Sequence, residues 1–90
     1  MPLGLTTVDD LCRRLESIEG HVRGVKRMAE QGKDCESLLV QLLAVRAAVD
    51  RSASIVLYGH VDHCLREAIQ SGDQKAALAE LQAVLRYLSP

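Results

Sequence analysis

The stretch "CESLLVQLLAVRAAVDRSASIVLYGHVDHCLREAIQ", residues 35–70, decides the fold of this 90-residue chain. It contains no proline, and its apolar residues recur at helical spacings along its full length. Asp34 precedes it as a candidate N-cap, and "SGD" at 71–73 follows it with a glycine stop and a new cap. The pattern therefore predicts one uninterrupted helix over about 35–70.

Such a helix is too long for a compact monomer. It extends about 54 Å at a rise of 1.5 Å per residue, whereas a compact chain of this length has a radius of gyration of about 12 Å. Its apolar side chains need a cover that a short third helix does not supply. We therefore expect the second helices of two chains to pack antiparallel in a helical bundle.

Two shorter helices flank the long one. The first is predicted over about 7–31, with Thr7 and Asp10 as a capping pair and Gly32 as its stop. The other is predicted over about 74–88. Aromatic residues make up only 2% of the chain, so the core must be aliphatic. The sequence thus predicts one all-α domain spanning residues 1–90.

Composition excludes several classes of protein. A net charge of −1 argues against a protein that coats nucleic acid indiscriminately. No run of 18 apolar residues is present and the N-terminus lacks a signal layout, so we expect a cytoplasmic protein without a membrane span. Three cysteines suggest buried, metal-binding or reactive thiols rather than a disulfide framework. No catalytic triad or acid pair is evident, so we expect no enzyme.

The segment "YGHVDHC", residues 58–64, carries candidate metal ligands. His60 and Cys64 are four residues apart and share one helix face, which is ligand spacing for a soft or borderline metal. Cys35 lies about 43 Å away along the same helix. It would meet the other two only between chains, if the two-fold axis of an antiparallel pair lies near Ala48 and Val49. Two thiolates and one imidazole suit Cu(I) and leave no obvious fourth ligand for Zn(II).

Spacing alone leaves a structural interpretation open. A lone cysteine is usually a small buried hydrophobe, and a lone histidine usually lies at the surface. Cys12, next to the apolar stripe, is interpreted as structural. His63 lies on a neighbouring face and is expected to point away from the ligands.

Two long motifs carry a resemblance to a known family. "RRLESIEGHVRGVKRMAEQGKDCESLLVQLLAVRAAVDR" (13–51) and "GHVDHCL" (59–65) closely resemble the CsoR/RcnR/FrmR family of bacterial repressors, and most of all its copper-sensing branch. The resemblance implies antiparallel four-helix-bundle homodimers that pair into disc-like homotetramers. It also implies a repressor that binds operator DNA in the apo state and releases it when an inducer binds. Inducers in the family are Cu(I), Ni(II)/Co(II), formaldehyde or persulfide.

The resemblance also implies a ligand set. In its copper branch a Cys–His–Cys set spans the dimer interface, and this chain supplies Cys35 from one protomer with His60 and Cys64 from its partner. Glu80 matches the carboxylate that copper members use with the metal-bound histidine. His21 occupies the place of a first-helix histidine found in a nickel sensor of the family, so it is a candidate additional ligand for Ni(II) or Zn(II).

Basic residues are the candidates for DNA contact. They lie on the first helix and the early second helix: Arg14, Arg23, Lys26, Arg46 and Arg51. The alternative is a solvated helix face with Glu–Arg pairs, such as Glu19 with Arg23. Charge alone favours a solvated face, whereas the resemblance to the repressor family favours a DNA-binding surface.

Two other functions remain open from the sequence. One is a sensor of thiol-reactive inducers such as formaldehyde or persulfide, in which Cys35 and Cys64 of partner chains cross-link. The other is a copper store or carrier without DNA function. A store is expected to carry many cysteines, whereas this chain has three.

Overall fold

The computed structural model describes the backbone of residues 5–88 and the side chains of residues 7–87. It contains three α-helices: α1 over Leu5–Glu30, α2 over Cys35–Ser71 and α3 over Gln74–Leu85. A 3-10 turn, Arg86–Leu88, follows α3. The described residues contain no strand, and the predicted all-α fold of three helices with a very long second helix is confirmed.

Side-chain caps and a left-handed glycine define the ends of α2. The Asp34 carboxylate accepts hydrogen bonds from the backbone N–H of Ser37 at 3.1 Å and from its hydroxyl at 2.7 Å. At the other end Gly72 has a φ of 74°, which glycine adopts without steric cost. The carboxylate of Asp73 then accepts from the N–H of Ala76 at 3.1 Å and starts α3. The chain therefore reverses within two residues and lays α3 back along α2.

Two helix ends differ from the prediction. Helix α1 begins at Leu5, two residues before Thr7, so Thr7 and the Asp10 carboxylate do not form the predicted cap. That carboxylate instead pairs with Arg14 at 3.1 Å and with Arg13 at 4.0 Å. The end of α3 tightens into the 3-10 turn from Arg86 instead of continuing as α-helix to residue 88.

Helices α1 and α3 both pack against α2. His21 of α1 contacts Gln41 of α2, and Arg14, further towards the N-terminus of α1, shares a cleft with Arg51. Helix α1 therefore runs antiparallel along the first half of α2. Helix α3 packs along the second half, where Glu80 contacts Cys64. Within the described residues, no helix combines the length and the apolar character needed to cross a bilayer.

The described chain is elongated and has little core. Its radius of gyration is 17.7 Å and its extents are 58 × 30 × 13 Å. It exposes 7051 Å², against about 5,200 Å² for a compact monomer of its mass. Val25 and Cys64 are its buried apolar residues. Large apolar side chains of α2 are exposed: Leu39, Val40, Leu42, Leu43, Val49, Val56, Leu65 and Ile69. This apolar face of α2 has no cover within the described part of the chain.

Candidate metal centre

His60 and Cys64 occupy successive turns of one face of α2. The distance from His60 Nε2 to Cys64 Sγ is 3.6 Å. Bonds of about 2.3 Å to sulfur and about 2.0 Å to nitrogen, at a tetrahedral angle, place two ligand atoms about 3.6 Å apart. The two side chains are therefore already spaced as ligands of one metal ion.

Glu80 of α3 completes a three-residue cluster. Its Oε2 accepts a hydrogen bond from the Cys64 thiol at 3.6 Å, and its backbone carbonyl lies 3.4 Å from His60 Nε2. The candidate ligand atoms of His60, Cys64 and Glu80 all lie within 4.8 Å of one another. The resemblance associated the Glu80 carboxylate with the histidine ring. In this structure the ring faces the carbonyl, and the carboxylate contacts the thiol.

The thiol at the centre of this cluster is held in its protonated form. Cys64 is 3% exposed. Burial raises the pKa of the Cys64 thiol, and the hydrogen bond and negative charge of Glu80, with the charge of Glu67, raise it further. A cation that binds the thiolate must therefore displace this proton. Its positive charge would then offset the burial of the thiolate and its repulsion by Glu80 and Glu67.

Cys35 lies far from this cluster within the chain. It is the first residue of α2 and is exposed, about 43 Å from Cys64 along the helix. One chain therefore does not bring the three predicted ligands together. A Cys35 thiolate reaches His60 and Cys64 only if it belongs to another protomer.

His21 lies in the half of the molecule that contains Cys35. Its Nε2 is 2.7 Å from Oε1 of Gln41, a contact that leaves Nδ1 as the free ring nitrogen. Gln41 precedes Cys64 by 23 residues, or about 34 Å of helix. His21 and the cluster are therefore separate within one chain. The sequence did not predict the contact of Gln41 with His21, because glutamine is a common residue on helix surfaces.

The two remaining candidates lie outside the cluster. His63 pairs with Glu67 on its own helix, with 3.3 Å between His63 Nε2 and Glu67 Oε1. Cys12 is exposed in the described chain rather than buried in a core. Neither residue approaches His60 or Cys64 as a ligand.

The candidate DNA-contacting residues lie on α1 and the first half of α2, and all are exposed. Arg14 and Arg51, together with Arg13 and His21, line a cleft of about 300 Å³ between the two helices. Within residues 5–88, Arg23 and Arg51 have no carboxylate within 4.0 Å, so the Glu19–Arg23 pair of the alternative interpretation is not formed. Arg14 pairs with Asp10. This half of the molecule thus presents several cations without local partners.

Comparison with known proteins gives one consistent family. A family model described as "Metal-sensitive transcriptional repressor" matches residues 7–87. The copper-sensing transcriptional repressor CsoR of Bacillus subtilis is 42% identical over 78 residues, which are 87% of this chain and 77% of that protein. The copper-sensing transcriptional repressor RicR of Mycobacterium tuberculosis is 38% identical, over 89% of this chain and 85% of that protein.

Two solved structures have the same fold. The nickel-responsive transcriptional regulator InrS superposes with a TM-score of 0.86 at 40% identity, covering 90% of this chain and 91% of that one. The copper-sensing repressor CsoR with Cu(I) from Geobacillus thermodenitrificans superposes with a TM-score of 0.84 at 33% identity, covering 100% and 94%. One of these neighbours is named for nickel and the other for copper.

Proposed function

This chain belongs to the family of metal-sensitive transcriptional repressors, and from this premise we propose that it is a Cu(I)-responsive repressor. It binds operator DNA without metal and releases the DNA when Cu(I) binds. The observation that carries the proposal is the pair of ligand atoms His60 Nε2 and Cys64 Sγ, which lie 3.6 Å apart, with the Cys64 thiol buried. The names of the copper-sensing relatives support the choice of metal.

The uncovered face of α2 supports an oligomer. Leu39 and Leu43 are 56% and 50% exposed, which is costly for leucines in a row along one helix. Antiparallel pairing of two α2 helices buries these side chains in a four-helix bundle. Two such dimers then form the homotetramer. In that pairing Cys35 of one protomer faces the partner's His60 and Cys64.

The ligand set selects a soft cation. Cys35 and Cys64 supply two thiolates and His60 an imidazole, a combination that favours Cu(I) over magnesium-like or calcium-like ions. When bound, Cu(I) supplies a bond between the two protomers. His60 also touches the carbonyl of Glu80, so a change at the site reaches α3 directly.

The basic half of the molecule supports DNA binding. Phosphates would meet Arg14, Arg23, Lys26, Arg46 and Arg51. Four copies that align this face would present one continuous basic surface to DNA, although each chain has a net charge of −1. By linkage, operator DNA must weaken Cu(I) binding by the same factor by which Cu(I) weakens DNA binding.

Ni(II) is the second candidate inducer. The structure named for a nickel-responsive regulator is 40% identical to this chain, and Gln41 holds His21 in the half of the chain that carries Cys35. In an antiparallel dimer His21 would approach the shared site as a fourth ligand. A four-coordinate site suits Ni(II) or Zn(II) better than Cu(I).

An anaerobic titration tests the proposal. Fluorescently labelled DNA from upstream of the gene is bound by the metal-free protein, and Cu(I), Ni(II) or Zn(II) is added while anisotropy is followed. We expect Cu(I) to release the DNA at one equivalent per protomer, and neither Cys35→Ala nor Cys64→Ala to respond. Release that persists in both variants would contradict the proposal.

A further inference from the structure

We propose that the cleft between α1 and α2 binds a small phosphomonoester dianion, which competes with operator DNA independently of metal. The cleft has a volume of about 300 Å³. Arg51, its lining residue nearest to His60 along α2, is nine residues or about 14 Å of helix away from it. Binding of the phosphomonoester stands apart from the proposed function, and only its competition with DNA rests on that function.

Guanidinium groups from two helices converge on this cleft. Arg13 and Arg14 line it from α1, and Arg51 lines it from α2. One carboxylate, that of Asp10, pairs with Arg14 at 3.1 Å and with Arg13 at 4.0 Å. Among the described side chains, Arg51 has no carboxylate within 4.0 Å. Three cations against one anion leave a surplus of two positive charges, which a dianion balances.

The surplus charge sets the class of ligand. A phosphomonoester carries about −1.5 to −2 charges at pH 7, whereas each phosphate of a DNA backbone carries about one negative charge. Arginine binds phosphate through N–H donors that form a rigid fork. The hydrogen bond from Arg14 Nε to Asp10 uses one of the five donors of this guanidinium. Asp10 therefore orients Arg14 and leaves its other donors for a phosphate.

The remaining walls give the cleft a shape as well as a charge. Ile18 and Ala48 are half-buried and contribute apolar surface. The Ser17 hydroxyl adds a hydrogen-bonding group, and Gln41 holds the His21 ring in the wall, with 2.7 Å between Nε2 and Oε1. A volume of about 300 Å³ lies at the lower end of the range for small-molecule sites. The cleft therefore admits a phosphate with a small organic body, such as a three-carbon or sugar phosphate.

The same arginines are proposed contacts of operator DNA. Arg14 and Arg51 cannot hold a phosphomonoester and the DNA backbone at once, so occupancy of the cleft lowers the affinity for DNA. By linkage, DNA lowers the affinity for the phosphomonoester by the same factor. This second input needs neither Cys35 nor Cys64 and adds to the response to Cu(I).

Calorimetric titration of the full-length protein, without metal or DNA, tests the site. The probe is glycerol 3-phosphate at pH 8, where it is dianionic, with the ionic strength held constant. Dimethyl phosphate, a monoanionic phosphodiester, and glycerol are the comparison ligands. Arg51→Gln removes one cation, and Ser17→Leu fills the cleft without a change of charge. Arg66→Gln is the matched control, because Arg66 pairs with Asp62 on the other half of α2.

We expect glycerol 3-phosphate to bind once per chain, and dimethyl phosphate to bind at least about tenfold more weakly. Arg51→Gln should weaken binding of glycerol 3-phosphate at least about tenfold, Ser17→Leu should weaken it by steric exclusion, and Arg66→Gln should not change it. In Cys35→Ala, glycerol 3-phosphate should still release labelled operator DNA. Far-UV circular dichroism checks that the variants fold, and positions 17, 51 and 66 are all exposed.

Three results would overturn the inference. Equal affinity for dimethyl phosphate means that the cleft takes any phosphate, as a surface for the DNA backbone does. Unchanged affinity in both Arg51→Gln and Ser17→Leu, or no saturable binding to the wild type, means that the cleft is not a site. DNA retained at saturating glycerol 3-phosphate would contradict the competition. A protein that binds the phosphomonoester but no operator DNA contradicts the proposed function alone, so the two fail separately.

Discussion

Glu80 Oε2 lies 3.6 Å from Cys64 Sγ, so a carboxylate from α3 accepts a hydrogen bond from the one buried thiol described in the chain. The contact joins two helices that meet only because Gly72 and Asp73 reverse the chain between them. Burial raises the pKa of the Cys64 thiol, and the contact with Glu80 raises it further, because a thiolate next to a carboxylate is unfavourable. The state of this thiol is therefore tied to the position of α3.

Alkylation should distinguish Cys64 from the exposed thiols. At pH 7 we expect iodoacetamide to modify Cys12 quickly and Cys64 slowly, since Cys64 is buried and its pKa is raised, which lowers its thiolate fraction at any pH below that pKa. The rate at Cys64 should rise with pH as thiolate forms. Peptide mass spectrometry over time at several pH values measures both rates.

Glu80→Gln provides the variant for the same experiment. Removing the negative charge lowers the pKa of the Cys64 thiol towards its ordinary value, so alkylation of Cys64 should become faster at pH 7 while that of Cys12 does not change. Equal rates at Cys64 in the wild type and Glu80→Gln would show that the carboxylate does not govern the thiol.

Asp73→Ala should loosen α3. Its carboxylate caps the helix at the N–H of Ala76, and loss of such a cap costs about 1 kcal/mol. We expect the free energy of unfolding in urea to fall by about that amount at a fixed protein concentration. Asp62→Ala is the control, because among the described side chains Asp62 makes one exposed ion pair, with Arg66, worth less than about 1 kcal/mol. Equal losses in both variants would argue against the cap.

Arg51→Ala should weaken operator binding and its salt dependence together. Arg51 lines the cleft between α1 and α2 and has no carboxylate partner within residues 5–88. Removing one phosphate-binding cation reduces the slope of log K against log salt by about 0.9. Arg66→Ala, on the other half of α2 and paired with Asp62, should leave the slope unchanged. Anisotropy across a salt series measures both, and an unchanged slope in Arg51→Ala would remove Arg51 from the interface.

His21→Ala should separate copper from nickel. A trigonal Cu(I) site does not use His21, so Cu(I) affinity should be unchanged, while Ni(II) affinity should fall at least about tenfold. His63→Ala is the control, because His63 pairs with Glu67 outside the cluster. A large loss of Cu(I) affinity in His21→Ala would mean that copper is four-coordinate here.

The sequence predicted most of the fold because the ends of α2 and the start of α3 are set by capping residues next to them. Asp34, Gly72 and Asp73 act within three or four residues of themselves, and the structure places each where its side-chain chemistry predicted. Helix α1 begins at Leu5 rather than at about residue 7, and Asp10, the predicted capping partner of Thr7, has two competing partners, Arg13 and Arg14. A capping motif in the sequence does not reveal that competition.

The candidate site was predictable only along α2. Helical spacing places His60 near Cys64 and separates Cys35 from both. The contact of Glu80 with the thiol rather than the imidazole depends on how α3 crosses α2, which residue spacing does not give. The pairing of His21 with Gln41 likewise depends on the register of α1 against α2.

A mixed dimer tests most directly whether two chains complete one copper site. Cys35→Ala and Cys64→Ala chains with different affinity tags are co-expressed, and the mixed dimer is purified and titrated with Cu(I) against a competing chelator. If the site is shared, one of the two sites in the mixed dimer keeps Cys35 from one chain and His60 with Cys64 from the other. We expect the mixed dimer to recover one tight Cu(I) site, whereas each parent variant has none. No recovery in a folded mixed dimer would contradict a site shared between chains.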